Sequence, residues 1–507
     1  MKKRVIVIGG GFGGLAVACR LAAHGFAVEL FEKRDRLGGR AYVFEKNGFK
    51  FDGGPSVITA PYLFDDIFKS AGKRREDYFE LIPLNPFYRI FDEDGASFNY
   101  SNDLDAISSE IARWNLRDQQ GYLRFLESSQ AIYQKGFIEL AQQPFLKISD
   151  LLKIAPDLVS FRPGQTVYGH VAHFIQNDFL RQVFSFHPLL VGGNPFETTN
   201  IYSLIHYLEF EWGVYYAKGG TGAIVEAFGR LFKELGGELY LNTPVAELQT
   251  QGRLVSGVRL MDGTVHRADI VISDADILYT YKTLVPARYQ NRLTQRRLEQ
   301  LSYSNSLFVI YFGTRRRYTD SRLAHHNVIL NSRYKAMMDD LFHRKRLSND
   351  LSLFIHMPTR TDASIAPPGC ELFTVITPVP NLDAAINWSV TARPYRDRIM
   401  QFLETNFLPD LRSSIMVEHY IDPLHFQNVL NSYKGAGYSA RPGLAQSAWF
   451  RPHNRSDDFS NLYFVGAGTH PGAGLPAVLL SAKIADELIF ESESQKGRIY
   501  PIHRMGG

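Results

Sequence analysis

An α/β fold is predicted by three features of this chain. Four apolar β-formers, Val5 to Ile8, run into Gly9, Gly11, Gly13 and Gly14, and a helical stretch from Leu15 to Ala22 follows. A second strand, Val28 to Glu32, ends in an acid about 18 residues beyond Gly14, the spacing of a dinucleotide fingerprint. Near the other end, the strand Leu462 to Val465 runs into a second glycine-rich turn, Gly466 to Pro476, and then a helix from Ala477 to Phe490. Between them, Ala268 to Ser273 reads as a buried strand rejoining a parallel sheet. These segments describe a Rossmann-like domain assembled from both ends of the chain.

Each fingerprint residue has a physical task. Gly9 permits the tight turn, Gly11 lets the backbone approach a pyrophosphate, and Gly14 lets the helix pack closely on the strand. The free N–H groups and the dipole of the helix start, at Gly13 and Gly14, face the phosphates. Glu32 accepts hydrogen bonds from a ribose hydroxyl. A ligand held between two distant glycine turns suits FAD better than NAD, whose fingerprint is completed within one contiguous domain. Two further glycine pairs, Gly38-Gly39 and Gly53-Gly54, the latter followed by Pro55 and Ser56, imply backbone passing close to something flat or charged. The forked donors of Arg40 suit a pyrophosphate.

Composition excludes several classes. The 56 basic and 52 acidic side chains of the 507 residues leave a net charge of +4, which gives nucleic-acid binding no support. The clusters Lys73 to Arg75, Arg315 to Arg317 and His343 to Arg346 read as solvated loop charge, with anionic lipid headgroups as the alternative. Two cysteines, Cys19 and Cys370, argue against a disulfide framework and fit a reducing cytosol. The apolar run from Val5 to Ile8 is too short for a signal core of about 7–15 residues. No stretch approaches the roughly 18 apolar residues of a membrane span. His325 and His326 are adjacent and cannot both face one ion from a helix, and no CxxC occurs, so no metal centre is expected. No GxSxG elbow supports a serine hydrolase. The 13% aromatic content, with 36 Phe and 26 Tyr, points to large apolar surfaces or a large apolar pocket.

The organisation follows from these signals. Residues 1–100, 215–290 and 441–490 form a discontinuous FAD-binding domain. Residues 101–214 form a helical insert, 291–440 a mixed-sheet substrate-binding domain, and 491–507 a polar, mobile tail. In the insert, Phe145, Ile148, Leu151, Leu152 and Ala155 fall on one helix face and Pro156 ends the helix. That stripe faces either the core or a membrane surface. The block Phe184 to Val191 is apolar, and its His187 reads first as a core histidine. Lys218-Gly219-Gly220-Thr221-Gly222 looks like a phosphate loop, but no strand-and-acid context follows, so it reads as a close-approach turn. Strands run from Ser306 to Phe312 and a helix from Pro394 to Phe407 in the substrate domain.

Three longer motifs carry a family resemblance. They are Ser185 to Phe196 (SFHPLLVGGNPF), Gln446 to Arg455 (QSAWFRPHNR) and Asn461 to Gly474 (NLYFVGAGTHPGAG). In that order, they resemble the bacterial and fungal type of phytoene desaturase, in the carotene branch of the amine oxidase-like flavoproteins, up to about residue 490. The resemblance implies non-covalent FAD and dehydrogenation of a long apolar polyene precursor, from phytoene to lycopene or a related polyene. It implies flavin-nucleotide contacts from Gly9, Gly11, Gly13, Gly14, Glu32, Gly39, Arg40, Gly54, Pro55, Ser56, the backbone of Val245, and Gly466, Gly468, Thr469, Gly474, Leu475 and Pro476. Many flavoproteins of the superfamily have Gly-Asp where this chain has Gly468-Thr469, which matches the carotene branch. A proposed acid/base group of the family lies near Asp150, with arginines where this chain has Ser149 and Lys153.

The flavin carries the redox chemistry and the protein supplies binding, orientation and exclusion of water. Loss of a proton from the adjacent carbon calls for a base, and Asp150 and His187 are the candidates nearest the expected substrate entry. At about 0.8 kcal/mol per CH₂, a hydrocarbon of about forty carbons would lose on the order of 30 kcal/mol on entering water. The substrate therefore comes from a bilayer, and the expected partner is a membrane surface, met monotopically through Phe145–Phe161 or Phe184–Val191 by a cytoplasmic peripheral protein. Oxygen or a quinone serves as electron acceptor. A shorter-chain (diapo-type) carotene desaturase, a polyene isomerase and a flavin-containing lipid carrier share these features and differ in tunnel length or turnover.

Overall fold

A computed structural model describes residues 2–150 and 164–495. The fingerprint strand Arg4–Ile8 is the centre of a five-stranded parallel sheet, with Ala27–Phe31 and Glu238–Tyr240 on one side and Ile270–Ser273 and Leu462–Phe464 on the other. Alternation along this strand explains its two layers. Val5 and Val7 pack with the helices Phe12–Ala23 and Leu475–Gln495, whereas Ile6 and Ile8 pack with Leu248 and Val258. The latter pair belongs to a three-stranded antiparallel sheet of Val245–Gln251, Leu254–Leu260 and Val265–Arg267. Both ends of the chain thus build one nucleotide domain, as the glycine turns predict.

The second large sheet has seven strands, in the order Ile415–Ile421, Ser306–Thr314, Glu371–Val379, Leu353–His356, His326–Ile329, Tyr88–Phe91 and Ser97–Tyr100. The last two strands correct the expected domain boundary. Residues 88–100 complete the substrate sheet because Asn327 to Ile329 pair in parallel with Arg89 to Phe91. The helix expected from Pro394 begins earlier, as Trp388–Asn406, where the Asn387 side chain accepts the Ser389 N–H (3.1 Å). The C-terminal helix runs to Gln495, so the tail expected from residue 491 is helical for its first five residues. Residues 496–507 lie outside the described residues.

The insert is helical, with Leu104–Trp114, Asp118–Tyr133, Val167–Phe174, Asp178–Ser185 and Leu204–Trp212 as its main members. The two expected membrane contacts change. Phe145 to Lys147 are irregular rather than helical, and Phe145 is buried with its ring edge-on to His470, 5.2 Å between centroids. Ile148 is 49% exposed, and Leu151, Leu152, Ala155 and Pro156 lie outside the described residues. In the other block, Phe184, Phe186 and Val191 are buried, so this block is interior and not a surface. No helix among the described residues is long and apolar enough to cross a membrane. The basic clusters are largely ion-paired at the surface: Arg75 with Asp65, Arg316 with Asp410, Arg344 and Arg346 with Asp340.

Candidate functional site

The two glycine turns meet. Gly9 has φ +99°, and a Cβ on Gly14 would strike the Gly9 carbonyl, so the first helix passes the first strand with no room for a side chain. A Cβ on Gly13 would lie 2.8 Å from the Gly466 nitrogen and 2.6 Å from Asp274 Oδ1. One on Gly11 would strike Asp274 Oδ2. The N-terminal loop, the end of the strand Ile270–Ser273 and the late turn therefore converge on a single cradle that only glycines leave open. Ligands in open α/β sheets bind at the carboxyl ends of strands, and this is such a place.

Asp274 is a site residue that the sequence reading missed. Its signal was its position, immediately after a buried parallel strand. Burial pushes its carboxyl up to about 7, against the pull of the Gly14 N–H and the Arg40 guanidinium. Burial also raises neighbouring Asp276. Glu32 is buried and accepts the N–H groups of Gly10 (2.8 Å) and Arg34 (2.9 Å), so it holds the loop's shape as well as facing the cavity. Arg40 donates to the Gly437 carbonyl (3.0 Å) and to Ser432 Oγ (3.2 Å), joining the early loop to residues near the C-terminus. Gly54 packs where a Cβ would strike the Arg40 carbonyl, and Gly39, Gly54, Pro55 and Ser56 line the cavity beside it.

The loop Lys218–Gly222 is not a phosphate cradle. Asp52 accepts the N–H groups of Thr221 (2.9 Å) and Gly222 (3.2 Å), so an internal carboxylate already occupies that helix start. The Asp52 carboxyl is raised by burial to about 6.

Arg451, inside the motif Gln446 to Arg455, shapes the late turn. Its buried guanidinium donates to the carbonyls of Thr469 (3.0 Å), Ala467 (2.8 Å) and Ala440 (3.2 Å). Gly466, Gly468, Gly474, Leu475 and Pro476 line the cavity, as does Val245. Thr469 does not. It is fully buried and its hydroxyl donates to the Pro452 carbonyl (2.8 Å), which ties the turn to the Arg451 segment.

The cradle opens into one continuous cavity of about 610 Å³. Its far half is apolar, walled by Ile132, Phe137 and Leu140 of the insert and by Leu307, Val309, Val328 and Ile376 of the seven-stranded sheet. Among the described residues, Glu209 is the carboxylate lining that half. It accepts the Tyr88 hydroxyl (2.7 Å) and meets His187 Nε2 (3.2 Å). The Tyr100 hydroxyl bridges His187 Nε2 (3.3 Å) and His206 Nδ1 (2.6 Å). Burial drives both phenols well above their ordinary range and His206 well below its own, so all three are neutral. His187 does not line the cavity; it meets the cavity-lining Glu209 and Phe186. Asp150 does not line it either; its carboxylate accepts the Lys147 N–H (3.1 Å) at the start of a helix. Neither expected catalytic residue lines the cavity, because nearness to the expected substrate entry does not decide which side chains face it.

His325 and His326 do not share the helix that the expected absence of a metal centre assumed. His326 opens a strand rather than lying on a helix, and with His325 and His356 it brings three ring nitrogens within 4.8 Å of one another.

The chain matches the model of the family described as flavin containing amine oxidoreductase over residues 12–489. It is 47% identical over 490 residues to a phytoene desaturase (lycopene-forming) of Pseudescherichia vulneris, covering 96% of this chain and 99% of the relative. A phytoene desaturase (lycopene-forming) of Pantoea ananas is 46% identical with the same coverage. A solved putrescine oxidase, bound to putrescine, has the same fold at a TM-score of 0.66 and 14% identity, covering 97% of this chain and 99% of that one. The glycine cradle, the buried Glu32 and the cavity between the two turns fit FAD. The chain belongs to the flavin containing amine oxidoreductase family, within its phytoene desaturase branch.

Proposed function

We propose that this protein is an FAD-dependent carotenoid desaturase that converts phytoene to lycopene. The observation that carries the reading is the continuity of the cavity, a dinucleotide cradle at one end and an apolar channel at the other. Bound FAD supplies the oxidant that removes hydrogen from a C–H bond. The residues of this chain do the rest. The cradle of Gly9, Gly11 and Gly13, with Glu32 and Arg40, holds the dinucleotide. The apolar walls align a polyene along the channel and exclude water.

The second hydrogen of each desaturation leaves as a proton. Glu209 is the acceptor this reading favours, since it is a carboxylate at the apolar wall, held by Tyr88 and backed by His187. His187 is then a positioning residue. Supply of substrate rests on the partition argument above, and three exposed apolar side chains support docking on a bilayer. Leu444 lines the cavity and is 46% exposed, Phe450 follows it at 41%, and Ile148 lies three residues from the cavity-lining Phe145.

Incubation of FAD-loaded protein with phytoene-loaded liposomes, without oxygen, tests the function. Bleaching of the flavin absorption with stoichiometric desaturated product is expected. Binding of phytoene with no bleaching would mark a carrier instead. Conversion of a shorter diapo-type precursor in preference to phytoene would move the assignment to that class.

A further inference from the structure

Three buried histidines lie outside the flavin and polyene cavity. His326 opens the strand His326–Ile329, His356 closes Leu353–His356, and the two face each other in the antiparallel register. Directly opposed residues project to the same side of a sheet, so their rings lie side by side, 5.1 Å between centroids. His325, one residue before the strand, completes the group at 4.8 Å from His356 and 4.5 Å from His326.

The nitrogens are arranged for a ligand. His325 Nε2 and His356 Nε2 are 3.0 Å apart. His325 Nδ1 is engaged by Thr361 Oγ1 (2.7 Å), and His326 Nδ1 faces the Phe87 carbonyl (3.3 Å). A carbonyl only accepts, so His326 Nδ1 carries the hydrogen and its Nε2 carries the lone pair. That Nε2 is buried, in a residue with no exposed surface, and makes no hydrogen bond within normal geometry, although the Ser56 backbone lies close to the ring. Anchoring Nδ1 on a carbonyl or hydroxyl so that Nε2 points at an ion is how metal-bound histidines are oriented.

A hydrogen bond between His325 and His356 would satisfy two of the rings and leave His326 Nε2 bare in the interior. A shared ion satisfies all three. Zinc–nitrogen bonds of about 2.0–2.1 Å in a tetrahedral site put ligand nitrogens about 3.4 Å apart, between the 3.0 Å of His325 and His356 and the 4.8 Å within which all three lie. A surface pocket lined by Asn85, Arg89, Arg360, Thr361 and His325 itself reaches the group from one side.

We propose that His325, His326 and His356 bind one divalent transition-metal ion of the zinc class through their Nε2 atoms. The ion is structural. It staples the strands His326–Ile329 and Leu353–His356, and through Phe87 it braces the adjoining strand Tyr88–Phe91. It takes no part in desaturation, since none of the three histidines lines the reaction cavity.

Elemental analysis of the FAD-loaded protein, prepared without a histidine tag and reconstituted with zinc, should find about one ion per chain. Cobalt(II) in its place should give ligand-field absorption of a tetrahedral site at longer wavelength than the flavin band. His326→Gln and His356→Gln should lower the bound metal at least about tenfold with the flavin spectrum retained. Because such variants sometimes fail to fold, the intact protein provides an independent measurement. A strong chelator should lower its melting temperature, and zinc but not magnesium should restore it. Absence of bound zinc and of the cobalt absorption in the intact protein would overturn the proposal. So would metal content unchanged in the folded His326→Gln protein.

Discussion

At the scale of single residues, the cradle leaves little freedom. Gly14→Ala places a methyl against the Gly9 carbonyl, a backbone atom that cannot turn aside. The expected result is loss of bound FAD and a lowered melting temperature, read from the flavin absorption and a thermal melt. Glu32→Gln keeps the shape of the side chain but turns an NH₂ toward one of the two N–H groups that Glu32 now accepts. A weakening of FAD binding by about tenfold is expected, from roughly 1–3 kcal/mol for an unsatisfied buried donor; titration with FAD measures it. Asp274 sets a pH dependence. Its carboxyl is raised by burial from the ordinary 3.8 to about 7. The folded protein therefore keeps a proton that the unfolded chain has released, and this group's contribution to stability declines as pH rises from about 4 through 7. Ionised Asp274 would also add negative charge beside Glu32 and Asp276, with Arg40 as the compensating cation, where the pyrophosphate must lie. FAD affinity should fall as pH rises through about 7, and Asp274→Asn should flatten that profile. An identical slope in the variant would remove Asp274 from the cradle.

At the scale of elements, the late turn depends on a side chain from outside it. Arg451 satisfies three carbonyls with one planar fork, a geometry that the point charge of lysine does not reproduce. Arg451→Lys should loosen the Gly466–Pro476 turn and release FAD more than it lowers the melting temperature. The comparison of the two readings is the measurement. The stripe from Phe145 to Ala155 shows why periodicity misleads at this scale. Apolar spacing is the same for a core face and a membrane face, and only burial separates Phe145, inside, from Ile148, outside.

At the scale of the whole molecule, the reaction joins a nucleotide cradle to an insoluble substrate. If Ile148, Leu444 and Phe450 meet the bilayer, replacing all three by Ser should reduce co-sedimentation with liposomes and turnover together. Stability should change little, because exposed substitutions usually fall within about 0.5 kcal/mol each. Normal sedimentation of the triple variant would move the contact elsewhere. Glu209→Gln separates binding from chemistry in the same assay. It should still sediment and hold FAD, while turnover falls by about 100-fold or more.

Local rules determined much of this protein directly from its sequence. A strand, a tight glycine turn and a helix are contiguous, so the FAD fingerprint from Gly9 to Glu32 and the late turn from Gly466 to Pro476 were legible, and both line one cavity. The family followed from three uninterrupted motifs. What spacing along the chain does not encode is which distant side chains meet. Asp274 joins the cradle because a fourth parallel strand delivers it there, and Glu209 joins His187 and Tyr88 across 22 and 121 residues. Tyr88–Phe91 joins the substrate sheet by pairing with a strand more than two hundred residues later. His325, His326 and His356 converge only because two strands align in register. Burial and long-range pairing, which depend on the packed whole, decided those points.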